Sequence, residues 1–475
     1  MKNIVGREKE CAELQRLVDS SRSELVIVYG RRRIGKTFLV EEFFNQKFDF
    51  RYVGGHGMNT RQQLRNFAKV LATFTRKPTE PLNNWFEAFD ALENYLQALP
   101  NKKKIVFIDE MPWMDSGRSS FVVALENFWN GWAMAQRNIM LIATGSATSW
   151  MRDKLVANKG GLHGRITSSI HLSPFTLHET ELYLEKLGIT WDRYQIAQAY
   201  MLLGGVPFYY SLLRPELSLA QNVDELFFGK DGCLKLEFDE LYSALFNNAK
   251  QYLEVVKLLS NNKSGMTVSQ LSQALNYKGG NISTIIKNLE RSDIVEKWNQ
   301  YGNKKRGAIF RLTDFYTLFY YKFVEPNLSK DPNWWSNNLE SRAITAWMGN
   351  SFELVCMKHL QQVKQALKIN AISTQSYTWS IPSNNKDNTP GAQIDMIIER
   401  ADRIIHLCEI KFSTEPYIIN SKYEAQLRER AALFRLTTNT KKTLVHTFVT
   451  TYGVANGKHR SIVHSEVTMD NLFEA

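Results

Sequence analysis

The chain has 475 residues, of which 44% are hydrophobic and 23% charged, as is typical of folded globular domains. This composition excludes collagen-like, coiled-coil and wholly disordered chains, and at roughly 150 residues per domain the length predicts about three domains. Lys and Arg outnumber Asp and Glu by 59 to 48. The net charge of +11 favours a polyanionic partner such as nucleic acid, although a merely solvated basic surface explains it equally well.

The cysteines and the apolar segments set the expected environment of the chain. Cys11, Cys233, Cys356 and Cys408 form no Cys-x-x-Cys pair, so we expect no zinc or disulfide framework and place most of them in the apolar core. No apolar run approaches the roughly 20 residues that span a bilayer, so no membrane partner is expected. The charged N-terminus lacks the apolar stretch of a secretory signal, and the expected location is the cytoplasm.

Residues 1–173 alternate short apolar runs with helical stretches. The clearest runs, 25–29, 105–108 and 139–142, are uninterrupted and rich in β-branched residues. Continuous apolar strands separated by helices indicate a parallel sheet covered on both faces, so an α/β fold is predicted here.

Three further segments follow along the chain. Residues 174–246 show helical patterns without strand-like runs and predict a small helical lid. Residues 247–325 predict a winged helix: two short helices, the first capped by Thr267, then two strands joined by a basic turn. Residues 340–475 begin with a predicted helix over 343–367, followed by strand-like segments at 377–381, 394–399, 404–412 and 443–451, which predict a C-terminal α/β domain.

Residues 30–37, Gly-Arg-Arg-Arg-Ile-Gly-Lys-Thr, fit the phosphate-binding pattern G-x-x-x-x-G-K-[ST] in full, between an apolar run and a helical stretch. Glycines let backbone N–H groups wrap phosphates, and the N-terminus of the next helix adds partial positive charge. Lys36 is predicted to reach the β- and γ-phosphates, and the Thr37 hydroxyl to ligate Mg²⁺. The predicted nucleotide contacts in this segment are Gly30, Arg33, Ile34, Gly35, Lys36, Thr37 and Phe38.

Two carboxylates end the second apolar run. Asp109 is predicted to hold Mg²⁺, largely through water, and Glu110 to polarise the attacking water. The third run ends in Ala-Thr-Gly-Ser at 143–146, where a polar side chain could sense the γ-phosphate or simply form an ordinary turn.

These motifs, with Ile-Val-Gly-Arg-Glu at 4–8, Gly-Arg at 164–165 and Gly-Gly-Val-Pro at 204–207, resemble the archaeal-type ATPases of the AAA+/STAND P-loop group. The resemblance implies ATP as the nucleotide. It places Val5, Gly6 and Arg7 at the adenine pocket and Pro207 near the base. Arg165 is either an arginine finger or a surface ion-pair residue.

The C-terminal segment contains an ordered set of charged residues. Asp395 begins one strand-like run, while Glu409 and Lys411 lie two apart on the next and therefore face the same side. Carboxylates that hold Mg²⁺ beside a lysine suit phosphodiester hydrolysis. The set resembles the PD-(D/E)xK nuclease-like domains fused to such ATPases. That resemblance makes Asp395, Glu409 and Lys411 catalytic, adds Glu353 to Asp395 and Glu409 as metal ligands, and gives Gln426 a supporting role. Solvated strand charges and a fold retained only for binding remain the alternatives.

The predicted winged helix contains a candidate DNA-binding surface. Lys304, Lys305 and Arg306 are predicted to contact phosphates, and Asn281 and Lys287 lie on the predicted recognition helix. A winged helix that serves as a protein-interaction or regulatory spacer is the alternative.

Three functions are compatible with this pattern. The first is an ATP-hydrolysing switch that acts on DNA and carries a Mg²⁺-dependent nuclease tail. The second is an ATP-controlled DNA-binding regulator with an inactive tail. The third is a STAND-like signalling scaffold that forms a homo-oligomer when ATP binds.

Overall fold

The computed structural model describes residues 3–157, 160–246, 248–302, 308–381 and 391–475. These residues form two compact units. The first comprises residues 1–174 with short pieces at 243–247 and 291–293, and the second comprises the remainder.

The first unit is built on a five-stranded sheet in the order β2-β3-β4-β1-β5, in which every pairing is parallel. Its strands are β1 (Glu24–Tyr29), β2 (Phe50–Val53), β3 (Lys104–Asp109), β4 (Ile139–Gly145) and β5 (Ser168–His171). Its helices are α1 (Glu8–Val18), α2 (Lys36–Phe43), α3 (Thr60–Thr75), α4 (Trp85–Gln97), α5 (Phe121–Gly131) and α6 (Thr148–Trp150).

Strands β1, β3 and β4 are buried along their whole length, which explains their uninterrupted apolar sequences. The predicted α/β fold with a parallel sheet is thereby confirmed. Strands β2 and β5 were not predicted from the sequence. Both lie at the edges of the sheet and contain polar residues, such as Arg51 and Ser169, that break the apolar pattern.

The second unit contains helices before, between and after two small sheets. Most of its first part is helical: α7 (Leu177–Lys186), α8 (Arg193–Leu203), α9 (Pro207–Tyr210), α10 (Leu219–Val223) and α11 (Cys233–Leu245). Then come α12 (Ala249–Ser260), α13 (Val268–Leu275), α14 (Gly279–Arg291) and the antiparallel pair β6 (Val295–Trp298) and β7 (Ile309–Leu312). Thr267 caps α13 by accepting a hydrogen bond from the Gln270 N–H, as predicted.

The rest of the second unit holds a five-stranded mixed sheet in the order β12-β11-β10-β9-β8. Its strands are β8 (Thr374–Ile381), β9 (Ala392–Arg400), β10 (Ile404–Lys411), β11 (Thr443–Thr450) and β12 (Ser465–Thr468). Its helices are α15 (Phe315–Phe319), α16 (Trp334–Asn337), α17 (Arg342–Lys358), α18 (Leu360–Ala366) and α19 (Ser421–Thr438). The helix predicted over 343–367 is therefore two helices that meet at His359.

Short 3-10 or π turns complete the described structure at Met111–Met114, Ala133–Gln136, Met151–Val156, Asp224–Phe228, Tyr320–Val324, Arg460–Ile462 and Met469–Phe473.

All four cysteines are free thiols, and only Cys356 and Cys408 are buried, so the expectation that most lie in the core was wrong. No helix in the described parts of the chain is long and apolar enough to cross a membrane.

The Gly-Gly-Val-Pro segment makes a close backbone approach within the second unit. The Phe175 N–H donates to the Gly205 carbonyl at 2.6 Å, and a Cβ on Gly205 would lie 2.0 Å from the Phe175 carbonyl oxygen. Gly204 has φ 63° and ψ −166°, a conformation that side chains disfavour. Pro207 then begins α9, where its missing N–H has no cost.

Gly205→Ala is therefore expected to destabilise the second unit by about 1–3 kcal/mol, because the added methyl forces two backbone segments apart. Urea unfolding followed by circular dichroism measures this change. Gly349→Ala is the matched control: Gly349 lies inside α17 with open space around its Cβ position, so alanine there should leave stability unchanged or raise it by up to about 1 kcal/mol.

Candidate functional site

The candidate nucleotide site lies where the carboxyl ends of β3, β4 and β1 meet, since these strands are neighbours in a parallel sheet. Ligands bind at this edge in open α/β sheets. Asp109 ends β3, Ser146 directly follows β4, and the loop 30–35 joins β1 to α2.

The loop holds its shape through residues in the left-handed region. Gly30, Arg33 and Gly35 have φ values of 154°, 75° and 85°. A Cβ on Gly30 would lie 2.3 Å from the Leu172 carbonyl oxygen, so only glycine fits there. Ile34 is buried, and a Cβ on Gly30 would also lie 2.7 Å from its Cδ1.

Lys36, the first residue of α2, is buried within the loop. Its Nζ donates to the carbonyl oxygens of Gly30 at 3.1 Å and Arg31 at 2.9 Å, and to the Ser146 hydroxyl at 3.0 Å. Burial lowers the pKa of Lys36 to about 8, and the nearby carboxylates of Glu110 and Asp109 oppose this shift. The ammonium group thus stands among backbone oxygens at the place where the motif predicts phosphate.

Thr37 and Asp109 form the oxygen pair predicted to hold magnesium. The Thr37 hydroxyl donates to Asp109 Oδ2 at 2.9 Å, while Oδ1 accepts from the Glu110 N–H at 3.0 Å and from the Thr144 hydroxyl. Hydroxyl and carboxylate oxygens suit a hard cation, so this donor set fits Mg²⁺. Thr144 and Ser146 are the two polar side chains of the segment 143–146, where the sequence predicted a phosphate-sensing side chain without choosing between them.

Glu110 makes both of its carboxylate contacts with Ser146. The Ser146 hydroxyl donates to Oε1 at 2.6 Å, and the Ser146 N–H donates to Oε2 at 3.2 Å. Glu110 itself has a left-handed backbone, with φ 48°. A single serine hydroxyl therefore joins the predicted phosphate-binding lysine to the predicted water-polarising carboxylate.

The other nucleotide contacts predicted in the first unit are Val5, Gly6, Arg7 and Phe38. Gly6 and Arg7 have φ values of 62° and 65°, and the Arg7 guanidinium donates to the Ser173 carbonyl at 2.7 Å. Val5 is partly buried just before them, and Phe38 on α2 is 48% exposed. The structure therefore gives Arg7 a backbone-tethering contact, and the adenine-side roles of these residues stay predictions.

The predicted roles of Arg165 and Pro207 stay predictions. Arg165 is exposed in the first unit, and its guanidinium contacts the Met134 sulfur at 3.5 Å. Pro207 belongs to the second unit, at the start of α9.

The charged set of the C-terminal sheet also comes together. Glu353 lies on α17, Asp395 on β9, and Glu409 and Lys411 on β10. Asp395 Oδ2 accepts from the Ile410 N–H at 3.5 Å, and Lys411 Nζ lies 3.9 Å from Glu409 Oε2.

Burial dominates the electrostatics of this set. It raises the pKa of Glu353 to about 7 with the help of the neighbouring Asp395, against the effect of Lys411. It also raises the pKa of Asp395 and of Glu409, where Lys411 and Arg430, respectively, are the strongest opposing charges. These carboxyls are therefore harder to ionise than solvated acids.

The predicted metal site of Glu353, Asp395 and Glu409 is not formed in this structure. Within the described residues, no three His, Cys, Asp or Glu side chains are placed to hold one metal ion. Glu409 instead accepts from Arg430 at 2.8 Å and from the Tyr423 hydroxyl at 2.7 Å. The donor set thus does not fit a shared metal ion as it stands.

Sequence reasoning missed two cations beside these acids. Arg430 comes from α19. Arg311 comes from β7, and its positive charge acts to lower the pKa of Glu353 and of Asp395, against the effect of burial. Neither arginine belongs to a local motif, so no sequence signal marks them. Gln426 is exposed on α19, one turn before Arg430.

The predicted DNA-binding surface is only partly described. Asn281 and Lys287 are exposed on α14, whereas Ile282, Ile285 and Leu289 of the same helix are buried. Lys304, Lys305 and Arg306 lie outside the described residues, as does most of the polar loop at 382–391.

The parallel sheet and its phosphate-binding loop define a P-loop ATPase. Residues 4–213 match the family described as an ATPase domain found predominantly in Archaea, and this part of the chain belongs to that family. An uncharacterized protein of Methanocaldococcus jannaschii is 24% identical over 369 residues, which is 77% of this chain and 79% of the relative.

Two other proteins are also similar to parts of this chain. An uncharacterized ATP-binding protein of Methanocaldococcus jannaschii is 42% identical over 44 residues, which is 9% of this chain and 75% of the relative. The structure of a Walker-type ATPase of Pyrococcus abyssi superposes with a TM-score of 0.50 and 18% identity, covering 68% of this chain and 97% of that protein. At this identity, the superposition supports the fold alone.

Proposed function

We propose that the first unit binds and hydrolyses ATP as a switch in which Ser146 couples phosphate recognition to Glu110. The observation that carries this proposal is the chain of contacts from Lys36 Nζ through the Ser146 hydroxyl to Glu110 Oε1, at 3.0 and 2.6 Å. A γ-phosphate competes for Lys36 and Ser146, because its charged oxygens are stronger acceptors than a carbonyl or a hydroxyl. Glu110 is then free to accept a proton from the attacking water.

Magnesium belongs to this proposal as the partner of the phosphates. Thr37 and Asp109 would hold it, directly and through water, and Thr144 orients Asp109 by a hydrogen bond. When bound, the ion neutralises charge that develops on the phosphate oxygens. Lys36 and the backbone of the loop 30–35 hold the phosphates of ATP in position.

Ser146→Ala tests whether Ser146 couples phosphate recognition by Lys36 to Glu110. We expect kcat for ATP hydrolysis to fall roughly 10- to 1000-fold, as for loss of one transition-state donor, and the preference for ATP over ADP to shrink. Calorimetric Kd values for both nucleotides and steady-state hydrolysis measure the two effects.

Ser169→Ala is the matched control, since Ser169 is an exposed serine on β5 of the same sheet. It should behave as the unmodified chain. If Ser146→Ala retains both the wild-type kcat and the wild-type ATP preference, Ser146 does not couple the two groups.

The second candidate function is ATP-controlled DNA binding. The sequence of elements α12, α13, α14, β6 and β7 supports a winged helix, and Asn281 and Lys287 are both exposed on α14. The order α17, β8, β9, β10, α19 and β11 supports a nuclease-like fold for the tail. Because Glu409 is already engaged, we propose a binding role for this tail rather than phosphodiester hydrolysis.

DNA affinity measured against salt concentration tests this candidate. Joint neutralisation of Lys304, Lys305 and Arg306 should reduce the slope of log K against log salt by up to about 3, and ATP should change the affinity. Plasmid cleavage should show no activity that depends on Asp395. If DNA does not bind but light scattering shows a larger particle with ATP, the scaffold interpretation replaces this one.

A further inference from the structure

Helix α3 of the first unit carries a row of exposed positive charges. Arg61, Arg65 and Lys69 are exposed and lie four residues apart, so they share one side of the helix. Among the residues that the structure describes, none of these three side chains forms an ion pair. Residues 50–79 contain no Asp or Glu, although Asp and Glu make up 48 of the 475 residues of the chain. This cationic row is therefore not neutralised by its own segment.

The cationic row is unfavourable for the helix that carries it. Like charges four residues apart on a helix repel each other and destabilise it. Arg61 also lies in the first turn of α3, where the helix dipole disfavours a positive charge. On α1 of the same unit, by contrast, Arg16 Nη2 lies 2.7 Å from Glu13 Oε1. Residues that act against local stability are typical of functional positions, so the row calls for a ligand that offsets its charge.

Buried contacts hold α3 in a fixed position. The Gln63 side chain is 1% exposed, and its Nε2 donates to the carbonyl oxygens of Gly55 at 2.7 Å and Trp113 at 3.0 Å. Its Oε1 accepts from the Gly55 N–H at 3.1 Å. Three apolar side chains of α3 belong to the core of the unit: Leu64, Phe67 and Leu71. The cations are thus carried by a helix that is already in place before a ligand binds, which reduces the entropy lost on binding.

A nucleic acid backbone matches this row, because its negative charges repeat along a line and arginine and lysine are common phosphate contacts. Proteins that bind single strands add aromatic side chains on which the bases stack. The exposed side chains of α3 include no aromatic ring; they are Arg61, Gln62, Arg65, Lys69 and Thr73.

We propose that the cationic row of α3 binds the phosphate backbone of double-stranded DNA without reading its base sequence. The proposal rests on DNA as the partner in the second candidate function. It adds a surface of the first unit that is separate from the predicted winged helix, and it does not depend on ATP hydrolysis.

The affinity of the full chain for a short DNA duplex, measured against salt concentration, tests the proposal. Joint Arg61→Gln, Arg65→Gln and Lys69→Gln should weaken binding at least about tenfold near 0.1 M salt, and should reduce the slope of log K against log salt by roughly 2 to 3. The loss should be the same for duplexes of unrelated sequence. The thermal unfolding midpoint should stay or rise, because the repulsion within the row is removed. ATP hydrolysis without DNA should be unchanged, since the three residues lie outside the nucleotide site.

The matched control removes three exposed cations elsewhere in the same unit, by Lys9→Gln, Arg16→Gln and Lys47→Gln. It should keep the salt slope of the unmodified chain. The proposal is overturned if the row variant binds the duplex as the unmodified chain does, or if the control loses as much affinity as the row variant. Loss of affinity for polyglutamate but not for the duplex would make the partner an acidic protein and also overturn it. If neutralising residues 304–306 weakens DNA binding and neutralising the row does not, the second candidate function stands and only this proposal fails.

Discussion

Lys36→Ala is expected to abolish ATP binding at micromolar concentrations, with a loss of affinity of at least about 100-fold. The lysine is the buried cation of the loop, and its Nζ stands 2.9–3.1 Å from three oxygens that a phosphate would replace as acceptors. Charge-assisted hydrogen bonds of this kind contribute roughly 1.5–3 kcal/mol each. Calorimetric titration of ATP measures the loss, and Lys47→Ala, at an exposed lysine, serves as the control.

The stability of Lys36→Ala separates lost binding from unfolding. Burial lowers the pKa of Lys36 from its ordinary value of 10.5 to about 8. The unfolded chain therefore binds this proton more tightly, so the stability of the unmodified chain should rise with pH between about 8 and 10.5. Lys36→Ala should lack that rise and be as stable as, or more stable than, the unmodified chain at pH 7. Normal ATP binding by Lys36→Ala would contradict the assignment of the loop.

Glu110→Gln is expected to retain ATP binding and to lower kcat by at least about 100-fold. Glutamine keeps the shape of the side chain and can still accept from the Ser146 hydroxyl, but it cannot take a proton from water. Steady-state phosphate release and a nucleotide titration on the same preparation measure both parts. Glu80→Gln, at an exposed glutamate, is the control, and a Glu110→Gln chain with unaltered turnover would remove Glu110 from the reaction.

The parts of the fold that could be predicted are those with a local signal. Strands β1, β3 and β4 could be predicted because all their residues are buried, whereas the edge strands β2 and β5 mix polar and apolar residues. The single helix predicted over 343–367 is interrupted at His359, because the backbone there is not helical (φ −103°, ψ 30°), and nothing in the sequence periodicity marks this interruption.

The candidate sites could likewise be predicted only where the signal is local. The loop residues and the pair Asp109 and Glu110 could be assigned because each chemical role depends on a fixed local spacing. The contact of Ser146 with both Lys36 and Glu110 depends on which strands are neighbours, and the sequence does not specify this. Arg430 reaches Glu409 from a helix 21 residues away, so its effect on the predicted metal site could only be found from the structure.

A single-turnover experiment with radiolabelled ATP and excess protein tests the central claim most directly. We predict that the unmodified chain converts bound ATP to ADP and phosphate, while Glu110→Gln retains intact ATP on the protein. Conversion by Glu110→Gln at the rate of the unmodified chain, or intact ATP retained by the unmodified chain, would contradict the proposed ATP-hydrolysing switch.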